Sequence, residues 1–266
     1  MLSKYNQEAS ILAGGTDLII KMKSSEIRPK HVINIKMIEG LNLIAEDKDG
    51  YRLGTATTLV QIVKHSGLQK RLSILSSSAR SIGSNQVRNV ATIGGNICNG
   101  APSADMVPGL LVLDARVRIC GVQGDRTMPL EDFFTGPGMV NLQQGELLTE
   151  LIVPFPTETS RQIYLKHGPR RAMDCAVVGV AVLLELEPSS GICQKARIAL
   201  GAVAPTPIRA KRTEQLITGK KVNEISSDLV AETVCREVDP ITDVRATVDY
   251  RSEMVSILTL RAIRSL

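Results

Sequence analysis

The sequence predicts an α+β protein in two parts, a mixed α/β N-terminal region and a C-terminal antiparallel sheet packed with helices. Three observations point there. The apolar run Ser10–Ala13, broken by Gly14–Gly15 and resumed as a helical start at Leu18, reads as strand, tight turn, helix. The stretch Pro154–Arg161, rich in Pro, Thr, Glu and Ser, marks a boundary. Beyond it lie three strand-like segments, Gln162–Lys166, Val177–Leu186 and Lys195–Gly201, and then helical ones.

The elements follow in order. Thr16 or Asp17 is placed to cap the first helix, and His31–Ile35 reads as the next strand. Leu41–Ala45 and Tyr51–Gly54 flank Asp47-Lys48-Asp49-Gly50, whose Asp-Gly pair signals a hairpin. Thr57–Lys64, capped by Thr58, and Leu68–Arg80 look helical. From Ile82 to Pro108 the chain is rich in Gly, Asn and Ser without sustained periodicity. Apolar residues are scattered through it (Val87, Val90, Ile93, Ile97), so it reads as an irregular but ordered segment ending in the apolar run Gly109–Leu113. In the C-terminal part, Pro-Ser-Ser-Gly (188–191) joins two strands as a hairpin. Helices are predicted from Pro207, around Asp228–Glu237 and over Asp249–Ala262.

Composition narrows the function classes. The chain has 266 residues, 43% hydrophobic and 22% charged, as in an ordinary globular protein. Three Phe, four Tyr and no Trp leave the core aliphatic and offer few platforms for stacking nucleic-acid bases. The net charge of +5 is dispersed in short clusters, without the basic stripe of a nucleic-acid binder. No apolar stretch reaches the roughly 18 residues of a membrane span. The five cysteines are widely spaced without C-x-x-C, forming neither a disulfide framework nor a zinc or iron–sulfur ligand set, which fits a cytoplasmic protein. His31, His65 and His167 are scattered, with no carboxylate at metal-ligand spacing. G-x-G-x-x-G after a strand, the P-loop and G-x-S-x-G are all absent.

Two glycine pairs are the most informative motifs. Ala13-Gly14-Gly15-Thr16-Asp17 sits at the strand-to-helix turn, and Thr92-Ile93-Gly94-Gly95-Asn96 in the irregular segment. Glycine pairs let a backbone bend sharply and bring its N–H groups close to a phosphate, while Thr and Asn add donors. Two such loops could grip the two halves of a pyrophosphate; the alternative is a pair of tight turns. Asp105 suits either an acceptor for ribose or ribityl hydroxyls or a cap ahead of Met106 and Pro108. Lys166 and Arg170–Arg171 read by themselves as a solvated charge cluster at a strand end.

The segments ILAGGTDLIIKMK (11–23), SIGSNQVRNVATIGGNICNGAPSADMVPGLLVLDA (81–115), LGAVAPTPIRA (200–210) and DVRATVDYR (243–251) resemble the FAD-binding (medium) subunit of the xanthine dehydrogenase/carbon monoxide dehydrogenase family of molybdenum hydroxylases. The resemblance runs from about Glu8 to the C-terminus. It implies a two-subdomain α/β FAD-binding fold, p-cresol methylhydroxylase-like, over residues 1–155 (subdomains about 1–50 and 51–155), and a C-terminal flavoprotein domain of antiparallel strands and helices over 156–266. It also implies cofactor contacts. Ile11, Leu12, Ala13, Gly14, Gly15, Thr16, Asp17 and Leu18 match the first cofactor loop, and Thr92, Ile93, Gly94, Gly95 and Asn96 the second. Asp105 matches an acidic flavin contact, Leu148 an apolar one, and Lys166 a contact from the next strand. Ile82 stands where some relatives place an aromatic over the flavin. Members of the family begin with an additional strand and helix before the first glycine motif, which here arrives at residue 14. The cysteine-rich insertion of some aromatic acyl-CoA reductases has no counterpart, so FAD alone is expected in this chain.

The function implied is that of an electron-transfer component. The molybdenum cofactor would sit in a large partner subunit and the iron–sulfur clusters in a small one, with electrons passing through FAD to NAD⁺ or another acceptor. No catalytic acid–base constellation or metal site is read in this chain, consistent with that division of labour. The rival reading is a stand-alone FAD-dependent oxidoreductase with a related fold, which would need its own substrate-binding and acid residues. No nucleic-acid partner and no membrane span are expected.

Overall fold

The computed structural model describes residues 2–5, 8–170 and 172–266. A short helix α1 (Leu2–Tyr5) precedes strand β1 (Ala9–Leu12), helix α2 (Leu18–Lys23) and strand β2 (His31–Asn34). Strands β1 and β2 run parallel, from Ala9 opposite His31 to Leu12 opposite Asn34, so the first glycine pair lies at the strand-to-helix turn of a β-α-β unit.

A second layer follows. Strands β3 (Ile44–Glu46) and β4 (Gly50–Gly54) form the hairpin announced by Asp-Gly, and the Asp47 carboxylate accepts hydrogen bonds from the N–H groups of Asp49 and Gly50. Six helices come next: α3 (Leu59–Lys64), α4 (Ser66–Arg71), α5 (Ser73–Arg80), α6 (Asn85–Val90), α7 (Ile93–Cys98) and α8 (Met106–Val112). Strands β5 (Arg116–Gly121), β6 (Gly124–Pro129), β7 (Phe134–Gly136), β8 (Met139–Val140) and β9 (Leu147–Pro154) complete it. The main sheet has the order β3-β4-β9-β5-β6, entirely antiparallel.

The C-terminal sheet comprises β10 (Ser160–His167), β11 (Val178–Leu186), β12 (Cys193–Gly201) and β13 (Ile208–Arg209), antiparallel in that order. Helices α9 (Lys211–Ile217) and α11 (Val248–Arg264) pack against it, and α10 (Ser227–Cys235) packs against both helices. Strand β11 explains its own sequence. Ala181 and Leu183 face the cluster around Leu53, Ile62 and Leu110, whereas Val180, Val182 and Leu184 face the cluster with Val255 and Leu258 of α11. A strand buried on both faces reads as an unbroken apolar run, and each fully buried Val or Leu contributes about 1.5–3 kcal/mol to holding the two layers together.

Several expectations need correction. The segment after Ile82 holds helices α6 and α7. Each has six residues and starts at a hydroxyl cap, Ser84 bonding the Val87 N–H and Thr92 the Gly95 N–H. Helices this short leave no periodic trace in a Gly- and Asn-rich sequence. Leu68–Arg80 is not continuous, because Leu72 leaves the helical region (φ −126°, ψ 51°) and separates α4 from α5. The strand expected over Leu41–Ala45 begins at Ile44. Pro207 does not open a helix: Ile208–Arg209 pair with Ala199–Leu200 at the sheet edge first, and α9 starts at Lys211.

Candidate functional site

The first glycine loop hangs between β1 and α2. Ile11 and Ala13 pack on a small cluster with Ile35 and Leu41, Leu12 pairs with Asn34, and Leu18 is the first residue of α2. Gly15 has φ +77°, a turn conformation that favours glycine. Gly14 serves close packing, since a Cβ there would lie 2.5 Å from the Val90 carbonyl oxygen and 2.7 Å from the Ala91 Cα. Among the described residues, the backbone N–H groups of Gly14, Gly15, Thr16 and Asp17 find no acceptor. Asp17 occupies the helix cap position but makes no side-chain capping bond; its carboxylate instead accepts from Asn99 at the end of α7 (3.3 Å). Lys21 of α2 donates to the same Asn99 (3.4 Å).

Those contacts bring the second glycine loop alongside the first. Ile93 is fully buried, and its N–H and that of Gly94 donate to the carbonyls of Thr57 and Thr55. A Cβ on Gly94 would strike Thr55 at 2.4 Å, so Gly94 is a packing glycine. Gly95 differs. A Cβ there would meet the Thr92 hydroxyl at 3.0 Å and the Ala13 methyl at 4.0 Å, so Gly95 faces the crevice between the loops. The side chain of Asn96 accepts the Met106 N–H (3.3 Å) and so starts α8.

That bond settles the role of Asp105. It sits at the cap position of α8 without making a capping bond, because Asn96 supplies the acceptor. The Asp105 carboxylate is buried, its two oxygens taken by the Tyr164 hydroxyl and the Lys166 ammonium, each at 2.7 Å. Burial pushes the Asp105 carboxyl up from its ordinary value, while Lys166 and Tyr164 pull it down. Burial, with the adjoining Asp105 charge, drives the Tyr164 phenol well above its usual range. Lys166 is no solvated charge. Its ammonium also donates to the carbonyls of Ser81 (3.2 Å) and Asp174 (2.8 Å), which uses all three of its donors. Ile82 adjoins this junction at the end of α5, partly buried against the main core, and its carbonyl is held by Arg88 (2.7 Å). Leu148 is 1% exposed on β9, and its carbonyl accepts the hydroxyl of Thr55, the residue against which Gly94 packs.

The crevice is therefore bordered by the 13–18 loop and Gly95, with the Asp105–Lys166–Tyr164 junction fixed in the fold beyond it. Sequence reasoning missed Tyr164 and Asn99. Tyr164 stands two residues before Lys166 on one strand, hence on the same face, so strand alternation could have found it. Nothing local marks Asn99. Cys98 is partly buried, and desolvation pushes its thiol up to about 12, so it supplies no thiolate here. Among the described residues no group of His, Cys, Asp or Glu is arranged to hold a metal ion, and no helix is long and apolar enough to cross a membrane.

A glycine loop between β1 and α2 thus lies beside a second one at the start of α7, in a fold completed by an antiparallel C-terminal sheet. Comparison with known proteins gives the family. Residues 1–156 match the FAD binding domain in molybdopterin dehydrogenase, and residues 163–266 the CO dehydrogenase flavoprotein C-terminal domain. The chain is 36% identical over 260 residues to the xanthine dehydrogenase FAD-binding subunit of Escherichia coli O157:H7, covering 97% of this chain and 88% of that one. It is 31% identical over 265 residues to the carbon monoxide dehydrogenase medium chain of Hydrogenophaga pseudoflava, covering 100% of this chain and 91% of the relative. The solved cyanide-inactivated Cu,Mo-CO dehydrogenase superposes with a TM-score of 0.94 at 30% identity, over 99% of this chain and 91% of that one. The chain belongs to the FAD-binding medium subunits of the xanthine dehydrogenase/CO dehydrogenase family. It is an oxidoreductase subunit, and its cofactor is FAD.

Proposed function

We propose that the chain is the electron-transferring FAD component of a multi-subunit molybdenum hydroxylase. It would receive electrons from iron–sulfur clusters of a small partner subunit, reduced in turn by a large molybdenum-cofactor subunit, and deliver them to NAD⁺ or another acceptor. The observation that carries this reading is that the N–H groups of Gly14–Asp17, without an acceptor among the described residues, belong to a loop whose Ala13 adjoins the side-chain-free face of Gly95. Unsatisfied backbone donors beside a position without a side chain suit a pyrophosphate.

FAD, when bound, supplies storage of two electrons and their exchange with one- or two-electron carriers. The chain's own part is to bind and orient. The N–H groups of the 14–17 loop would hold phosphate oxygens, and Gly95 would let the backbone approach them. Asp105, held in place by Lys166, would offer the remaining lone pairs of its carboxylate to hydroxyl groups of the cofactor. Ile82 would close that side without stacking. On this reading residues 1–50 and 51–155 are the two halves of the FAD-binding domain, and 156–266 the C-terminal domain. The five free cysteines support a reducing, cytoplasmic setting.

The test is purification of the chain from its own cells through an affinity tag. Recovery in a complex containing molybdenum, iron and two further polypeptides is the expected result. Recovery alone, with turnover of a small substrate, would replace this reading with that of a stand-alone FAD-dependent oxidoreductase.

A further inference from the structure

The DVRATVDYR segment has no part in the phosphate crevice, yet its last residue, Arg251, is the one basic side chain among the described buried residues, at 3% exposure. It projects from α11 into the seam between two loops. One terminal nitrogen donates to the carbonyls of Val177 (2.7 Å) and Ala202 (2.9 Å). The other donates to the Asp243 carboxylate (2.7 Å), which is itself fixed by the N–H groups of Arg245 and Ala246.

Both carbonyls lead to the Asp105–Lys166 pair. Val177 closes the loop from β10 to β11, its N–H bonding the His167 carbonyl (2.8 Å). Within that loop the Asp174 carbonyl is one of the Lys166 acceptors. Ala202, held at φ 66°, donates its N–H to the Pro102 carbonyl (2.7 Å), in the segment that delivers Asp105. The geometry points to Arg251 as a positioning residue that sets both members of the Asp105–Lys166 pair from the C-terminal helix. A guanidinium suits this task because its rigid fork spans two carbonyls and a carboxylate together, which an ammonium on a flexible stem cannot do. The inference rests on the FAD-binding function proposed above.

The test is a double-mutant cycle on FAD affinity in the full chain, with wild type, Arg251→Lys, Lys166→Met and the double variant titrated by quenching of flavin fluorescence. Each single substitution is expected to weaken FAD about tenfold. The double variant should fall no further than about tenfold if Arg251 acts through Lys166, and about a hundredfold if the two act independently. At saturating FAD, the visible circular dichroism of Arg251→Lys should shift in the same sense as that of Lys166→Met, a signature that mere loss of stability would not give. Additive losses in a chain that binds FAD overturn the positioning role alone. A wild-type chain that binds no FAD overturns the proposed function and this inference with it. Should either single variant fail to fold, Asp243→Asn and Lys166→Arg take their places in the same cycle.

Discussion

Replacing Lys166 by methionine isolates the ion pair at the centre of the site. The Asp105 and Lys166 side chains are only 7% and 13% exposed and meet at 2.7 Å. Removing the cation leaves a buried carboxylate supported by the Tyr164 hydroxyl alone, and breaking a buried pair in this way costs about 3–5 kcal/mol. The pH dependence gives the signature. Burial already raises the Asp105 carboxyl, and Lys166 exerts the strongest opposing pull. In Lys166→Met the native carboxyl therefore holds its proton more tightly than the unfolded one, whose ordinary value is about 3.9. Stability from that proton is full below the unfolded value and is lost as pH rises through the folded one. The deficit should thus be largest at pH 8 and shrink on acidification. Urea unfolding of the apo chain at about pH 8 and pH 5, with unchanged m-values, measures it. A deficit below about 1 kcal/mol at pH 8, or one independent of pH, would refute the assignment of a buried, mutually dependent pair.

Further tests separate glycines that look alike in sequence. Gly95→Val should fold but purify without FAD, because its side chain enters the crevice; a full complement of FAD in the folded variant would end the phosphate-cradle assignment. Gly14→Ala should instead destabilise the fold by about 1–3 kcal/mol, since its methyl group meets the backbone of Val90 and Ala91, and thermal unfolding with and without FAD would show the loss in both states. Thr92→Ala removes the hydroxyl that caps α7 and should cost about 1 kcal/mol in chemical denaturation, with a matching loss of FAD affinity only if the second loop frays.

Much of the site was legible because glycine pairs are local signals. The strand–Gly-Gly–helix turn at 11–18 and the pair at 94–95 stand where the chain must bend or be approached closely. Their division of labour was not legible. Gly14 and Gly94 are needed by Val90 and Thr55, residues distant in sequence, and only the assembled fold shows that Gly95 alone of that pair faces the crevice. Asp105 presented an even choice between cap and ligand; Asn96 takes the capping bond, and the Asp105 carboxylate pairs with Tyr164 and Lys166, partners distant in sequence. Lys166 read as a solvated charge because its three acceptors come from α5, the cap of α8 and the loop after β10. Strand β5 alternates Arg with apolar residues, whereas β6 is largely polar and β9 largely apolar. Their pairing is set by long-range register, such as Arg52 and Arg118 both reaching Glu150 across the sheet. The doubly buried β11 was readable as a strand, but which of its faces met which core was not.

The most direct measurement is the visible spectrum of the purified chain, with any released chromophore identified by chromatography and iron assayed in parallel. About one FAD per chain, without iron, is the predicted result, and loss of that FAD in Gly95→Val would tie it to the crevice. A colourless chain that takes up no added FAD would contradict the central claim.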